Sequence, residues 1–426
     1  MGVFQRKIGI DCNITLEESS IYISTRIPIV STFILQLIVD LLNFSHLSFH
    51  LFVASISILP RASAPISSFS CRHSLILLKS TILGHSKILL LEPFLATLSS
   101  SPQMLRRIVL DGRQMSVESL ENSFFYFKQL QSVEISFASL MTDISFWEVL
   151  GTLPSLEKFT VEVANDSESL PVDAPENSNS RSGGLRNFEA LESLHVTGPF
   201  FFIHHLLGFI NSPFLKSIEV SPYRHNSERE HDAGDLLIPS MAIVASKWSQ
   251  SLKELMIGEN WIGITHRNSK FLVPLADLHG IQKFELVGWR MEKNNDALRR
   301  LAMSWPKLRH LELRNPNQTL ISLSNLRIIA ENCLELRILD IELDIDNIPP
   351  FDDISGKILC HELEVLVLRG VHQSIPQISL ECQIQIARHL DFIFPYVRNI
   401  RLKALDRTWS GICDLVKLCQ DARRGR

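Results

Sequence analysis

The feature that most constrains this chain is a six-residue pattern that returns eleven times. An aliphatic or aromatic residue stands at positions one, four and six, as in "LRHLEL" from Leu308 and "LRILDI" from Leu336. The copies begin at Leu105, Leu130, Leu156, Leu191, Leu215, Leu252, Ile281, Leu308, Leu336, Leu363 and Val397. Their mean spacing is near 29 residues, and the four intervals from Leu252 to Leu363 are 29, 27, 28 and 27 residues. A regular period of this length predicts one repeated structural unit.

A second kind of segment lies between the copies. Residues 296–305, "DALRRLAMSW", and residues 323–333, "LSNLRIIAENC", have apolar residues at steps of three and four, which predicts amphipathic helices. The six-residue pattern itself alternates as a short strand does. One strand and one helix cannot bury their apolar faces alone, so neighbouring units must stack. We therefore predict an α/β solenoid of about eleven irregular repeats over residues 101–412, with a parallel sheet on its concave face.

The junction between helix and strand is also repeated. The predicted helix ends at Cys333 in "AENCLELRILDI", at Trp305-Pro306 in "LAMSWPKLRHLEL" and at Leu153-Pro154 in "LGTLPSLEKFTV". Proline at this place stops a helix and favours an extended entry into the strand. These stretches resemble the leucine-rich-repeat family over about residues 105–410. Within it, the chain looks most like the divergent fungal kind of F-box protein with leucine-rich repeats.

This resemblance implies a function in protein recognition. In such F-box proteins the repeats hold a substrate and the F-box binds a Skp1-type adaptor, so the resemblance implies a substrate-recognition subunit of an SCF-type ubiquitin ligase. An F-box typically opens with Leu-Pro-x-Glu, whereas the one Leu-Pro in residues 1–100, Leu59-Pro60, is followed by "RASAPISS". Two alternatives stay open: a repeat scaffold without a ligase role, and a membrane-anchored or secreted repeat protein.

The first hundred residues differ in composition from the rest of the chain. They contain 12 charged residues, against 76 in the other 326, so we predict that residues 1–100 form a cap, a degenerate F-box or a disordered leader. Their most apolar run, residues 27–44, approaches the length of a membrane span, but Asp40 interrupts it. The seven cysteines are irregularly spaced and suit reduced thiols. We therefore expect a cytoplasmic or nuclear protein without a membrane anchor.

Two longer intervals interrupt the repeats. Residues 165–184 are rich in Pro, Ser, Asn and Gly, and residues 221–235 are rich in charged residues, so both are predicted to be solvent-exposed loops. The last segment, residues 413–426, is predicted to be a C-terminal cap with a basic tail.

Motifs of catalysis and of metal binding are absent from the sequence. The chain has no phosphate-binding G-x-x-x-x-G-K-S/T, no G-x-S-x-G, no H-E-x-x-H and no C-x-x-C pair. Its formal net charge of −4 gives no basis for binding nucleic acid. We therefore expect no catalytic residue, no metal, no cofactor and no nucleic-acid partner.

The repeat pattern predicts which side chains face a partner. Because strand side chains alternate, the residue between the last two apolar positions projects from the concave face. Along the chain this column is Val109, Glu134, Thr160, His195, Glu219, Met256, Glu285, Glu312, Asp340, Val367 and Arg401. Glu285, Glu312 and Asp340 are consecutive in the column. We expect them to form an exposed acidic stripe that receives a basic segment of a protein partner.

Residues beside this column complete the predicted site. Lys283, His310 and Arg314 flank the stripe and could offset part of the repulsion between carboxylates about 4.8 Å apart. Beyond the stripe the face becomes apolar and then basic, through Val365, Val367, Arg369, Arg401 and Lys403. The predicted partner-binding residues are Glu285, Glu312, Asp340, Glu219, His310, Arg314, Arg369 and Arg401.

Overall fold

The computed structural model of the chain describes the segments that carry the repeats. They are residues 50–52, 74–79, 105–112, 124–137, 144–163, 187–223, 230–258, 269–288, 296–314, 321–344, 348, 351, 359, 361–369, 378–403 and 407–425. Three sequence predictions lie outside the described residues: the apolar run 27–44, the Leu-Pro pair at 59–60 and the loop at 165–184.

The chain divides into two units. The first comprises residues 1–195 and 210–212, and the second comprises residues 196–209 and 213–426. The division therefore falls inside one strand of the repeat series, β6 (Ser193–Pro199). We describe each unit by itself.

The first unit consists of strands joined in chain order. Its strands are β1 (His50–Phe52), β2 (Ser74–Lys79), β3 (Leu105–Gly112), β4 (Ser132–Phe137) and β5 (Lys158–Val163), and its described helix is α1 (Ile144–Gly151). β1 pairs antiparallel with β2, and the pairs from β2 to β5 are parallel. The predicted N-terminal region thus contributes two strands that the sequence pattern did not predict.

The second unit continues the same order of strand and helix. Its strands after β6 are β7 (Ser217–Tyr223), β8 (Glu254–Ile257), β9 (Lys283–Val287), β10 (His310–Arg314), β11 (Ile338–Glu342), β12 (Val365–Arg369) and β13 (Asn399–Leu402). Its helices are α2 (Phe200–Phe209), α3 (Glu230–Trp248), a 3-10 helix (Ser269–Asp277), α4 (Asp296–Ser304), α5 (Leu323–Asn332), α6 (Leu380–Ile393) and α7 (Arg407–Arg424). Each neighbouring pair of strands from β7 to β13 is parallel.

The predicted fold class, an α/β leucine-rich-repeat solenoid, is confirmed. A strand lies at each of the eleven copies of the pattern, from β3 to β13, and described helices or turns lie between them. Position four and position six of the pattern point into the core, as Leu311 and Leu313 do in β10. Alternation along a strand places the residue between them on the opposite side of the sheet.

The junctions between helix and strand also follow the prediction. α4 ends at Ser304, and the buried Trp305 follows it and donates a hydrogen bond from Nε1 to the Leu275 carbonyl at 3.1 Å. α5 ends at its C-cap Cys333, whose backbone N–H donates to the Ile329 carbonyl. A buried side chain, Trp305 or Cys333, therefore stands at this junction before the next strand.

Two predicted boundaries are wrong. Residues 221–235 are not one loop, because Ser221 to Tyr223 complete β7 and α3 begins at Glu230. Residues 225–232 are polar and gave no helical pattern in the sequence, and the described buried apolar side chains of α3 include Leu237 and Met241. At the C-terminal end, the predicted division between residues 412 and 413 falls inside α7, a single helix.

No helix among the described residues combines the length and the apolar character needed to cross a bilayer.

Candidate functional site

One side of the sheet in the second unit carries three columns of polar side chains, and we call this side, over β7–β13, the polar face. The middle column is Glu219, Met256, Glu285, Glu312, Asp340, Val367 and Arg401, and successive members are register partners on neighbouring strands. The first column, two residues earlier, is Ser217, Glu254, Lys283, His310, Ile338, Val365 and Asn399. The third column, two residues later on β9–β13, is Val287, Arg314, Glu342, Arg369 and Lys403.

The three consecutive acidic residues of the middle column are adjacent but not exposed. The exposed fraction is 9% for Glu285, 4% for Glu312 and 3% for Asp340. The expectation of an exposed acidic stripe is therefore wrong in this respect, although the predicted order of the three residues across β9, β10 and β11 is observed. Longer side chains from the first and third columns contact these carboxylates and contribute to their burial.

Asp340 is the most completely compensated carboxylate of the face. Arg369, on the next strand, donates from Nε to Oδ1 at 2.6 Å and from its terminal nitrogen to Oδ2 at 2.7 Å. Lys403, two strands away, donates from Nζ to Oδ2 at 3.1 Å. A two-pronged arginine pair of this kind is among the stronger charge-assisted contacts in proteins.

Glu312 has cationic neighbours from its own strand and from β12. Arg314 contacts Oε1 through Nε, and a terminal nitrogen of Arg369 lies 3.6 Å from the same oxygen. Nε2 of His310 lies 3.6 Å from Oε2. Burial is the main influence on His310 and lowers its pKa, which favours the neutral imidazole at pH 7. At pH 7 the positive charges beside Glu312 are therefore those of Arg314 and Arg369.

Of the three consecutive acidic residues, Glu285 is the one nearest to β7 and β8, which carry Glu219 and Glu254. Lys283 Nζ lies 2.8 Å from its Oε1. The hydrogen bond to Glu285 is the main cause of a raised Lys283 pKa, to which the charges of Glu254 and Glu219 also contribute. A depression of about 110 Å³ adjoins these residues and is lined by Ser217, Ile218, Glu219, Glu254, Leu255, Met256, Lys283 and Glu285.

Glu342 in the third column is a buried carboxyl group that titrates near neutrality. Burial raises its pKa to about 7, the charge of Arg369 opposes that rise, and the charge of Asp340 adds to it. Glu342 and Arg369 are register partners on β11 and β12. The protonation of Glu342 therefore changes the net charge beside Arg369 in the physiological pH range.

The two ends of the polar face expose charges of opposite sign. At β7–β9, Glu254 is exposed and Glu219 is half-buried, beside Lys283 and Glu285. At β10–β13 the carboxylates are covered, whereas the side chains of Arg314 and Lys403 are 39% and 46% exposed. Arg401 is exposed and makes no hydrogen bond or ion pair with the described part of the chain.

Three of the predicted site residues could in principle hold a metal ion. Ligand atoms of Glu285, His310 and Glu312 lie within 4.8 Å of one another. Lys283 and Arg314 already contact the two carboxylates, so positive charge from the chain itself occupies this position. We therefore assign no metal to the cluster. Its sequence signal is weak because Glu285 lies one repeat away from the other two residues.

Sequence reasoning missed two residues of this site. Glu254 and Glu342 stand two positions to either side of the middle column, where the same alternation places them on the same face. Reading all three columns, rather than the middle one alone, would have found both.

Comparisons with known proteins give no family and no relative in sequence. The chain matches none of the protein families searched, and no curated protein is significantly similar to it. Among solved structures, the chain is similar to the leucine-rich repeat-containing protein LegL7 from Legionella pneumophila, with 12% identity and a TM-score of 0.38, over 80% of this chain and 97% of that one. It is also similar to a chain of the Rad7 and Elc1 complex from yeast, with 13% identity and a TM-score of 0.34, over 68% of this chain and 86% of that one. The fold assignment rests on the strand register described above and not on these similarities.

Proposed function

We propose that this protein is a non-catalytic interaction module that binds a protein partner on the polar face. The observation that carries the proposal is the three-column arrangement of charged side chains across the parallel strands β7–β13. Such a face offers side chains in fixed register to an extended partner, and charge arrangement of this kind determines partner choice and orientation.

A basic segment of the partner would bind at the β7–β9 end of the face. In the described columns of this end, three carboxylates, those of Glu219, Glu254 and Glu285, lie with one ammonium, that of Lys283, so the local charge of these residues is negative. Glu312 and Asp340 contribute less to this end because cations of the chain itself compensate them. The proposed acidic site therefore lies on β7–β9, two strands nearer to β7 than the stripe predicted from the sequence.

A finer proposal rests on the resemblance to F-box proteins with leucine-rich repeats. In it, the chain is a substrate-recognition subunit of an SCF-type ubiquitin ligase in the cytoplasm or nucleus, and residues 1–100 bind a Skp1-type adaptor. A pull-down of purified adaptor by the full chain tests it. Retention of the adaptor would support the ligase function, whereas an empty pull-down would leave the scaffold without a ligase function.

Site-specific photo-crosslinking tests whether the polar face binds a protein. A photoreactive phenylalanine analogue replaces Met256, which lies in the middle column of the polar face. The matched control replaces Met303, an exposed methionine on helix α4. We expect crosslinked protein bands in cells from position 256 that position 303 does not give. Identical patterns from both positions would contradict the proposal.

A further inference from the structure

At the β10–β13 end of the polar face, the basic side chains are more exposed than the acidic ones. Charged side chains here lie at two depths: those of Glu312 and Asp340 are 5% and 4% exposed, and that of Lys403 is 46% exposed. Arg401 adds an exposed arginine in the middle column, on the last strand of the repeat series, β13. An approaching partner therefore meets positive charge first, although the column beneath is acidic.

The buried carboxylates do not cancel this positive charge. Four cations, Arg314, Arg369, Arg401 and Lys403, stand on β10–β13 against the carboxyl groups of Glu312, Asp340 and Glu342. The pKa of Glu342 is about 7, so part of its negative charge is absent at neutral pH. The exposed cations also lie nearest to an approaching partner, whereas Glu312 and Asp340 lie beneath them and are already paired with cations.

An aliphatic strip adjoins the cationic end. In the first column, Ile338 and Val365 are register partners on β11 and β12, and both are half-buried on the polar face. Val367, the middle-column neighbour of Asp340 and Arg401, is also apolar. Aliphatic contact beside paired charges is the usual composition of a peptide-binding surface.

We propose that the β11–β13 end of the polar face docks an acidic segment of the protein partner. Its carboxylates meet Arg401 and Lys403, and an aliphatic side chain of the segment covers Ile338 and Val365. This inference rests on the proposed function of the face, and it adds the charge order of the partner. The basic part of the segment lies toward β7–β9 and the acidic part lies toward β13.

Strand spacing sets the separation of the two charged parts. Five strand intervals separate β8 from β13, which at about 4.8 Å each is about 24 Å. An extended chain covers about 3.3 Å per residue, so about seven residues separate the basic and acidic parts of the segment. A partner segment with both charges adjacent could not engage both ends at once.

A peptide suits this end better than a nucleic acid does. Arg314, Arg369 and Lys403 each already pair with a buried carboxylate, so the described part of this end lacks the series of free cations that consecutive phosphates would need, whereas a short acidic segment needs only Arg401 and Lys403. Stacking platforms for bases are also missing, because no aromatic residue stands in the three columns over the described strands β7–β13.

Fluorescence anisotropy with designed peptides tests the proposal on the full chain. The probe is an extended, labelled peptide with two lysines at one end, two glutamates at the other and valine and threonine over the about seven residues between them. Companion probes carry only the lysines, only the glutamates, or lysines at both ends. Oligouridine is the nucleic-acid probe. We expect the two-charge peptide to bind more tightly than either single-charge peptide.

Charge reversal at Arg401 identifies where the glutamates bind. Arg401 has no partner among the described residues, so Arg401→Glu should fold normally, and Arg424→Glu on helix α7 is the control with the same change of charge. We expect Arg401→Glu to weaken the two-charge peptide about threefold or more, the scale of an exposed ion pair. Arg424→Glu should change nothing, and the peptide with lysines at both ends should gain affinity for Arg401→Glu. Lys403→Gln, which leaves Asp340 paired with Arg369, should repeat the loss more weakly.

The possible failures separate the inference from the proposed function. Equal effects of Arg401→Glu and Arg424→Glu, or the absence of binding by every peptide, would overturn the inference. Preferential binding of oligouridine that Arg401→Glu abolishes would overturn it too and would indicate a nucleic-acid surface. In each case the crosslinks from position 256 still decide whether the polar face binds a protein.

Discussion

The two ends of the polar face differ in how far their acidic side chains are exposed. Glu254 at the β7–β9 end is exposed, whereas Asp340 at the β10–β13 end is 3% exposed beneath Arg369 and Lys403. Both carboxylates stand on strands of the same parallel sheet and point to the same side of it. The difference comes from the neighbouring columns, which provide Arg314, Arg369 and Lys403 at the β10–β13 end and Lys283 at the other. The β7–β9 end therefore presents an exposed carboxylate, whereas the acidic groups of the β10–β13 end are buried in ion pairs with the chain's own cations.

The largest expected effect is on stability at the compensated end. Arg369→Met would leave Asp340 with Lys403 alone, would remove one of the two arginines beside Glu312 and would remove the arginine beside Glu342. Breaking a buried ion pair by removing one partner lowers the free energy of unfolding by about 3–5 kcal/mol. Native-state hydrogen exchange of the β11 and β12 amides measures this loss locally, without assuming that both units unfold together.

Arg401→Met on the next strand is the control for this change. It removes an exposed arginine without a described partner, so we expect a change within about 0.5 kcal/mol. The double variant Asp340→Leu with Arg369→Met removes both charges and should be less destabilised than Arg369→Met alone. Equal losses from Arg369→Met and Arg401→Met would show that the buried layer does not stabilise this end.

The second prediction concerns the pH dependence of the same end. Burial raises the pKa of folded Glu342 from 4.5 to about 7, so between these values the folded state holds a proton that the unfolded state has released. The free energy of unfolding therefore falls as pH rises through this window. Glu342→Gln cannot ionise and should be more stable than the wild type at pH 8, by about 1–3 kcal/mol, and equal to it below pH 4.5.

Hydrogen exchange of β11 at several pH values measures this difference. The control is Glu254→Gln at the other end of the face, where the residue is exposed and the same substitution should change the free energy of unfolding by no more than about 0.5 kcal/mol. A pH-independent effect of Glu342→Gln would mean that Glu342 is ionised throughout and is held by Arg369.

The sequence predicted the positions of these residues but not their burial. Register follows from the pattern alone, because Leu311 and Leu313 must both enter the core and Glu312 then has one available side of the sheet. Burial depends on which side chains lie over the column. Lys403 reaches Asp340 across 63 residues of sequence, and Arg369 reaches it across 29. Nothing local to Asp340 reveals these partners.

The helices were harder to predict than the strands for a related reason. Each strand must satisfy one short pattern, whereas the segments between strands only have to cover the core and can do so in several ways. Ser269–Asp277 forms a 3-10 helix with Pro274 inside it, and α3 includes Pro239. Packing of the buried apolar side chains holds both segments in helical form despite local breakers.

An intermediate effect is expected from Lys283, which lies where the two ends meet. Lys283→Met would leave Glu285, 9% exposed, without its ammonium partner, and we expect a loss of about 1 kcal/mol because Lys283 itself is well exposed. The measurement is hydrogen exchange of the β9 amides, with Glu254→Gln as the unchanged reference. A loss as large as that of Arg369→Met would group Glu285 with the compensated end of the face rather than with Glu219 and Glu254.

The smallest effect is expected from Arg337, which also pairs with a carboxylate about one repeat away but is far more exposed than Arg369. Arg337 contacts Glu364 across 27 residues, much as Arg369 contacts Asp340 across 29, but its side chains are 62% and 39% exposed. Water screens such a pair, so Arg337→Met should lower the free energy of unfolding by less than about 1 kcal/mol. Hydrogen exchange of β12 measures both variants on the same strand. If Arg337→Met lowers the free energy of unfolding as much as Arg369→Met does, the burial of the carboxylate does not explain the difference between the two ends. The proposal that β13 presents exposed cations above buried carboxylates would then lose its support.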